Sequence, residues 1–249
     1  MAIQAIKLER AQFTSYQKFV LFILAFLQFT IILDFMIMAP LGAILMPALK
    51  ITPSQFGVVV SAYAFSAGIS GFLSAGFVDL YDRKKVLLFF YMGFVLGTLC
   101  CGLAPNFYFL LIARIVTGTF AGVLGSTVLA ITTDLFSYDI RGRVMGVLQT
   151  SFAASQVLGL PLGLYFSNLW GWHAPFIMIV FVAMIVGIFI IMYMQPVTQH
   201  LTIIHEHSSL HRLIKTISTP HYLKAFCITG LLSLGGFMIM PFSSAYLVN

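Results

Sequence analysis

Two ionisable residues stand inside long apolar runs: Asp34 in Ile31-Ile32-Leu33-Asp34-Phe35-Met36 and Arg114 in Leu110-Leu111-Ile112-Ala113-Arg114-Ile115-Val116. In hydrocarbon such groups cost several kcal/mol each, so they mark ion or proton paths, or they pair. The chemistry open to them is that of a protonatable carboxylate whose affinity for a proton is tuned by a nearby guanidinium. A static ion pair, or an aspartate that caps an outer helix end, is the plainer alternative. Helical rise allows their depths to be compared. Asp34 lies ~24 Å above one membrane edge and Arg114 ~12 Å below the other, so in a core ~30 Å thick they differ by ~6 Å. An Arg side chain spans that gap, and a direct or water-bridged pair requires only that the two helices be neighbours.

A second charged group, Asp79-Leu80-Tyr81-Asp82-Arg83-Lys84-Lys85, is wedged between the apolar runs 55–78 and 86–104. With only 8% of residues charged, this density reads as a tight hairpin loop at a membrane surface. A third group, His200, His205, His207 and His211 with Glu206, matches no zinc template and lies in polar surroundings, so it reads as a solvated linker. Phosphate-cradling glycine loops, His-Glu-x-x-His and nucleophile constellations are lacking. The sequence therefore predicts neither an enzyme nor an ATP-driven pump, with no cofactor and no metal.

The elements that position these residues follow from composition. The 249-residue chain is 60% hydrophobic with a mean hydropathy of +1.02, more apolar than a water-soluble core can absorb. Seven runs are long enough to span a bilayer as helices: 19–42, 55–78, 86–104, 107–131, 143–166, 173–194 and 221–246. Of the thirteen Lys and Arg residues, all but Lys50 and Arg114 fall on one side of this arrangement, which places the N-terminus in the cytoplasm. The net charge of +6 then reflects loops facing anionic lipid, and no nucleic-acid partner is expected. Cys100, Cys101 and Cys227 fall inside spans and read as buried thiols without disulfides. Short outer loops and the lack of an Asn-x-Ser/Thr site favour a bacterial inner membrane.

The expected organisation is all-α: a six-helix N-terminal bundle over 1–194, a cytoplasmic linker over 195–220, and over 221–249 the first helix of an incomplete C-terminal bundle. On this reading the chain is truncated and a second half is missing. Small residues recur at helical spacing in the second span (Ser61, Ala64, Gly68, Gly71, Ala75) and the fourth (Gly118, Ala121, Gly122, Gly125), as close helix packing in lipid requires. Generic bundle packing explains them as well as any specialised role.

Several stretches resemble the major facilitator superfamily, in particular its proton-coupled drug or sugar efflux branch. Ala75 to Lys85 looks like the loop signature Gly-x-Leu-Ala-Asp-Arg-x-Gly-Arg-Lys between the second and third helices. Asp79, Arg83 and Lys84 match; Ala75 and Asp82 replace its glycines, and Leu80 replaces an Arg. The resemblance makes Gly76, Asp79, Arg83 and Lys84 candidates for a cytoplasmic gating motif that latches two halves together. Arg114 and Gly118 match a fourth-helix pattern linked to proton coupling, with Thr117 where Gln is usual, and Asp34 resembles the first-helix aspartate of the same branch. Gly159, Pro161 and Gly163 resemble the fifth-helix antiporter motif, with the proline displaced by one position, and Arg141-Gly142-Arg143 is typical of the entry to that helix. The resemblance implies alternating access, with protons and a small amphiphilic compound or sugar as the exchanged partners in a lipid bilayer. An uptake porter of the same superfamily and a fragment without transport of its own are the alternatives. A seven-helix receptor or retinal protein fits poorly, since Lys224 lies at the start of the seventh span and not within it.

Overall fold

The structure, a computed structural model, describes residues 13–198 apart from residue 75, with residue 201 and scattered positions between 218 and 231. The histidines at 200–211 and most of the expected seventh span lie outside the described residues.

The described chain is helical: α1 (Ser15–Met36), α2 (Met38–Leu49), α3 (Pro53–Ser74), α4 (Arg83–Gly102), α5 (Phe107–Leu135), α6 (Tyr138–Ala154), α7 (Leu160–Trp170) and α8 (Ala174–Tyr193). Among the described residues six helical stretches are long and apolar enough to cross a membrane, α6 and α7 counting together as one. Local chemistry sets their starts. Thr14 and Gln17 exchange side-chain bonds with each other's backbone N–H to cap α1, and Thr52 with Gln55 does the same ahead of Pro53. Asp82 accepts from the Lys84 N–H at α4, and Asn106 from the Phe109 N–H at α5.

The first span departs from the expected single run over 19–42. The helix breaks at Ile37 and resumes as α2. Pro40 explains the break: it has no N–H for the Met36 carbonyl, and its ring crowds that group. Regular bonding returns with the Leu41 N–H donating to the Ile37 carbonyl at 3.2 Å. Asp34 is therefore held inside a helix that continues in the same direction, and does not cap an outer end.

The expected fifth span, 143–166, is longer, running from Tyr138 to Trp170. Its middle, Ser155–Gly159, is a π-helical turn in which the Leu160 N–H reaches back five residues to the Ser155 carbonyl. Such a bulge absorbs the missing donor of Pro161 without ending the helix.

In the bundle α5 lies centrally, with α3 along one side and α4 along another, while α1 packs on α6 and α8. Two large apolar clusters form most of the core, beside a small one of Val78, Val86 and Val123. One joins Leu24, Leu27, Phe94, Leu124 and Ile190 towards the end that carries Lys18, Arg83, Arg141 and Arg143; the other joins Leu33, Leu41, Phe56, Leu110 and Phe176 towards the opposite end. Asp34, Thr98 and Arg114 lie at the level where the clusters meet. Many large apolar side chains are exposed outside, Phe65, Phe89, Phe181 and Trp170 among them, as an integral membrane protein bathed in lipid requires.

The closest helix approach is that of α3 on α5. A Cβ at Gly122 would run into the Ala67 carbonyl, one at Gly118 would lie 2.5 Å from the Tyr63 carbonyl oxygen, and one at Gly71 3.1 Å from the Gly122 oxygen. Gly68 and Gly125, from the same stripes, face open space. Gly122→Leu is expected to force α3 and α5 apart and destabilise the bundle by roughly 1–3 kcal/mol. Gly68→Leu and Gly125→Leu should leave it intact. Thermal melts of detergent-solubilised protein followed by size exclusion measure the contrast.

Candidate functional site

At mid-bundle the Arg114 guanidinium of α5 meets the Asp34 carboxylate of α1. Nη1 donates to Oδ2 at 2.7 Å and also lies 3.3 Å from the Asp34 carbonyl oxygen. Both side chains have 0% exposure. The other carboxylate oxygen, Oδ1, accepts from the Thr98 hydroxyl of α4 at 3.2 Å. From α3, the Tyr63 ring faces the guanidinium carbon at 4.4 Å, itself stacked on Phe35 at 5.5 Å, a cation–π contact strengthened by desolvation. Four helices thus converge on one ion pair. Arg114 Nε and Nη2 and the Tyr63 hydroxyl are buried with no protein partner. The guanidinium therefore has donors in reserve should the pair rearrange.

Gly159 and Gly163 flank this site from the α6–α7 span. A Cβ at Gly159 would stand 2.6 Å from Leu33 Cδ1, and one at Gly163 would strike Ile37 Cδ1. Leu33 and Ile37 bracket Asp34, so the two glycines seat the span directly on the stretch of α1 that carries the carboxylate. Pro161 lies between them, just past the π turn.

A second charged group gathers at the end of the bundle where α3 turns into α4. Arg83 is 4% exposed; its Nη2 donates to Asp79 Oδ1 at 2.8 Å and its Nε to Asp134 Oδ2, at the end of α5, at 3.1 Å. Lys84 Nζ donates to the Ile191 carbonyl near the C-terminus of α8 at 3.1 Å, where a cation complements the helix dipole. Asp82, besides capping α4, accepts from the Val197 N–H at 3.0 Å, and the Arg83 N–H donates to the Val197 carbonyl at 3.2 Å. Gly76 lies in the turn after α3, its N–H donating to Leu73 at 3.0 Å. Arg141 closes the end of α5, donating to the Phe136 and Thr133 carbonyls at 3.0 and 2.7 Å.

The structure thus joins Asp34 to Arg114, and Asp79 to Arg83, as separate groups. Thr98, Tyr63 and Asp134 escaped the sequence reading. Thr98 and Tyr63 are ordinary members of apolar helices, and only their level on the helix, opposite Asp34, could have singled them out. Asp134 sits at a span's end, where a solvated carboxylate is the common case. One expectation is corrected: Cys101 is buried, but Cys100 and Cys227 are exposed. Cys100 and Cys101 are adjacent on α4 and so point about 100° apart around the helix, one outward and one into the core. Among the described residues, no three His, Cys, Asp or Glu side chains converge to hold a metal ion.

A sequence profile described as Major Facilitator Superfamily matches residues 24–248. Among curated proteins, the MFS-type transporter YceJ of Bacillus subtilis is 30% identical over 148 residues, covering 59% of this chain and 38% of that protein. Multidrug resistance protein 3 of the same organism is 33% identical over 150 residues, covering 59% and 28%. The vacuolar membrane amino acid uptake transporter fnx2 of Schizosaccharomyces pombe is 33% identical over 124 residues, covering 50% and 22%. The chain spans well under half the length of these relatives. Among solved structures, a bacterial homolog of the human lysosomal transporter Spinster superimposes with a TM-score of 0.75 at 14% identity, over 95% of this chain and 56% of the other.

Removing one member of the central pair leaves the other charged and uncompensated in the core. Asp34→Asn is expected to lower stability by roughly 3–5 kcal/mol, and the double variant Asp34→Asn/Arg114→Gln to lose less than either single change. A double-mutant cycle on thermal or denaturant melts reads the coupling.

Proposed function

The chain belongs to the Major Facilitator Superfamily, and we propose that it acts in secondary active transport, exchanging protons for small amphiphilic compounds or sugars by alternating access. The observation that carries this reading is the Asp34–Arg114 pair, wholly buried at mid-bundle between apolar helices. Protonation of Asp34 removes the negative partner, weakens the hold on Arg114 and frees α1 to move against α5. Loss of the proton restores the pair. A proton taken from one side and released to the other thereby becomes coupled to a change in packing.

Other residues have assigned parts in the same cycle. Asp79, Arg83 and Lys84, with Gly76 in the turn before them, form the gate at the cytoplasmic end. That orientation is supported by the basic residues Lys18, Arg83, Lys84, Lys85, Arg141 and Arg143 at one end against Lys50 at the other. Gly159, Pro161 and Gly163 hold the fifth span on the moving part of α1. A groove of about 460 Å³ between α1 and α6, lined by Phe13, Phe22, Phe26, Phe29, Val147 and others, offers an apolar wall of the kind an amphiphile enters. Alternating access takes two bundles rocking about a central site, so this six-helix bundle works against a complementary second half. The bacterial relatives favour the inner membrane.

Uptake is the second reading, favoured by the likeness to a protein described as an amino acid uptake transporter. Transport in vesicles with an imposed pH gradient tests both. With ethidium as the amphiphilic probe, Arg114→Ala, normalised to folded protein in the membrane, should lose gradient-driven movement; undiminished movement would sink the assignment. Reversing the gradient and following counterflow separates export from uptake.

A further inference from the structure

Threonines buried in helices ordinarily satisfy their hydroxyl at home, by donating to a carbonyl three or four residues back. Among the described residues five threonines are buried, and four behave so: Thr30 to Leu27, Thr117 to Ala113, Thr127 to Val123 and Thr132 to Val128, at 2.7–2.9 Å. Thr98 does otherwise. At 0% exposure it donates across the helix interface to Asp34 Oδ1. The residue before it makes this reach feasible: a Cβ at Gly97 would lie 2.5 Å from Thr117 Oγ1, so only a glycine lets α4 come this close to α5.

We propose that Thr98 is a positioning residue for Asp34, holding the carboxylate through Oδ1 and setting how readily it takes a proton. The proposal deepens the proton-coupling reading of the ion pair and draws its functional meaning from it. The two carboxylate oxygens have divided partners, Oδ2 facing Arg114 and Oδ1 facing Thr98. A proton arriving at Oδ1 converts that atom from acceptor to donor, and the Thr98 hydroxyl, by rotating about its C–O bond, changes from donor to acceptor. One hydroxyl thus serves both forms of Asp34, while Oδ2 of the neutral acid is left as a weaker acceptor for Arg114.

The other groups near the carboxylate are accounted for. α5 contributes Arg114, α3 the phenol of Tyr63, and α4 the thiol of Cys101, whose Sγ is 3.7 Å from the Thr117 hydroxyl. The α4 phenol Tyr91 faces Thr30. The α6–α7 span presents Gly159 and Gly163, with the charges of α6 at the basic end, and on α8 Tyr193 lies at that same end, against Phe19. None of these groups bonds Oδ1.

The experiment is an infrared pH titration of the full chain in lipid nanodiscs, following the carboxyl band that Asp34→Asn abolishes. Thr98→Val keeps the shape and removes the hydroxyl. Its midpoint should move by about one pH unit towards alkaline, since of the bonds lost the one to the charged form is the stronger. Thr98→Ser, which keeps the hydroxyl, should titrate with the parent. A Thr98→Val midpoint unchanged from the parent, a Ser variant displaced as far as the Val variant, or no titrating band that depends on Asp34 would each overturn the proposal. Size exclusion on the same samples verifies folding. Gradient-driven ethidium movement in the same variants keeps the two ideas apart. A shifted band with transport indifferent to the gradient fells the coupling reading alone, whereas gradient-driven transport with an unmoved Thr98→Val band fells the role of Thr98 alone.

Discussion

A guanidinium wholly removed from water needs a countercharge and hydrogen-bond acceptors close at hand, and the bundle around Arg114 is arranged to meet that need. Asp34 supplies the charge at 2.7 Å and its carbonyl a second oxygen; the Tyr63 ring covers one face of the guanidinium plane. To bring these together, α1, α3, α4 and α5 must all reach one level of the membrane, and each is held there by a close approach. The cost of burying both charges is offset only when geometry and additional bonds are good. A static bundle of this size gains more from an apolar pair. Stability alone therefore does not account for an ion pair at the junction of two apolar clusters.

Small residues provide the means. Gly118 and Gly122 let α3 lie against α5 so that Tyr63 faces Arg114; Gly97 lets α4 lie against Thr117 so that Thr98 faces Asp34; Gly159 and Gly163 let the fifth span lie against Leu33 and Ile37. In lipid, apolar side chains gain little by meeting one another in place of lipid tails, so backbone approach and interhelical bonds carry the specificity. The break at Ile37 and the π turn before Pro161 both adjust the helices that bear on Asp34, each tied to a proline that removes one backbone donor.

How much of this the sequence disclosed depends on what lipid does to the usual signals. Charges inside apolar runs stand out, so Asp34 and Arg114 are conspicuous, as is the loop from Asp79 to Lys85. Helix faces do not stand out. A spanning helix is apolar all round, because lipid accepts the face that the core does not, and Cys100 and Cys101 cannot be told apart by composition. Thr98 was silent for a related reason: a helical hydroxyl is satisfied wherever it lies, and only the neighbouring helix determines that this one donates to Asp34. The break at Ile37 was missed because Pro40 sits within an unbroken apolar run. Gly68 and Gly125 fit the small-residue periodicity as well as Gly71 and Gly122 do, yet they face open space, since periodicity gives spacing and not the partner.

The two charged groups share their helices. α5 carries Arg114 at mid-bundle and Asp134 at the basic end, twenty residues and therefore ~30 Å apart along the axis. α4 carries Thr98 and Arg83, separated by ~22 Å. Arg83 bonds Asp134, and at mid-bundle Cys101 Sγ lies 3.7 Å from the Thr117 hydroxyl, beside the close approach of Gly97, so α4 and α5 are tied at both levels. A straight helix pair joined at two heights moves as one piece, because sliding one helix past the other breaks bonds at both. Asp34 and the α6–α7 span belong to the other side of the central pair, attached to α4 and α5 at this level through the ion pair and one hydroxyl. α1 with its fifth-span neighbour thus meets the α3–α4–α5 unit at the ion pair, with the Thr30–Tyr91 and Gln17–Leu135 bonds nearer the basic end, and the Asp34 carboxylate lies on that boundary.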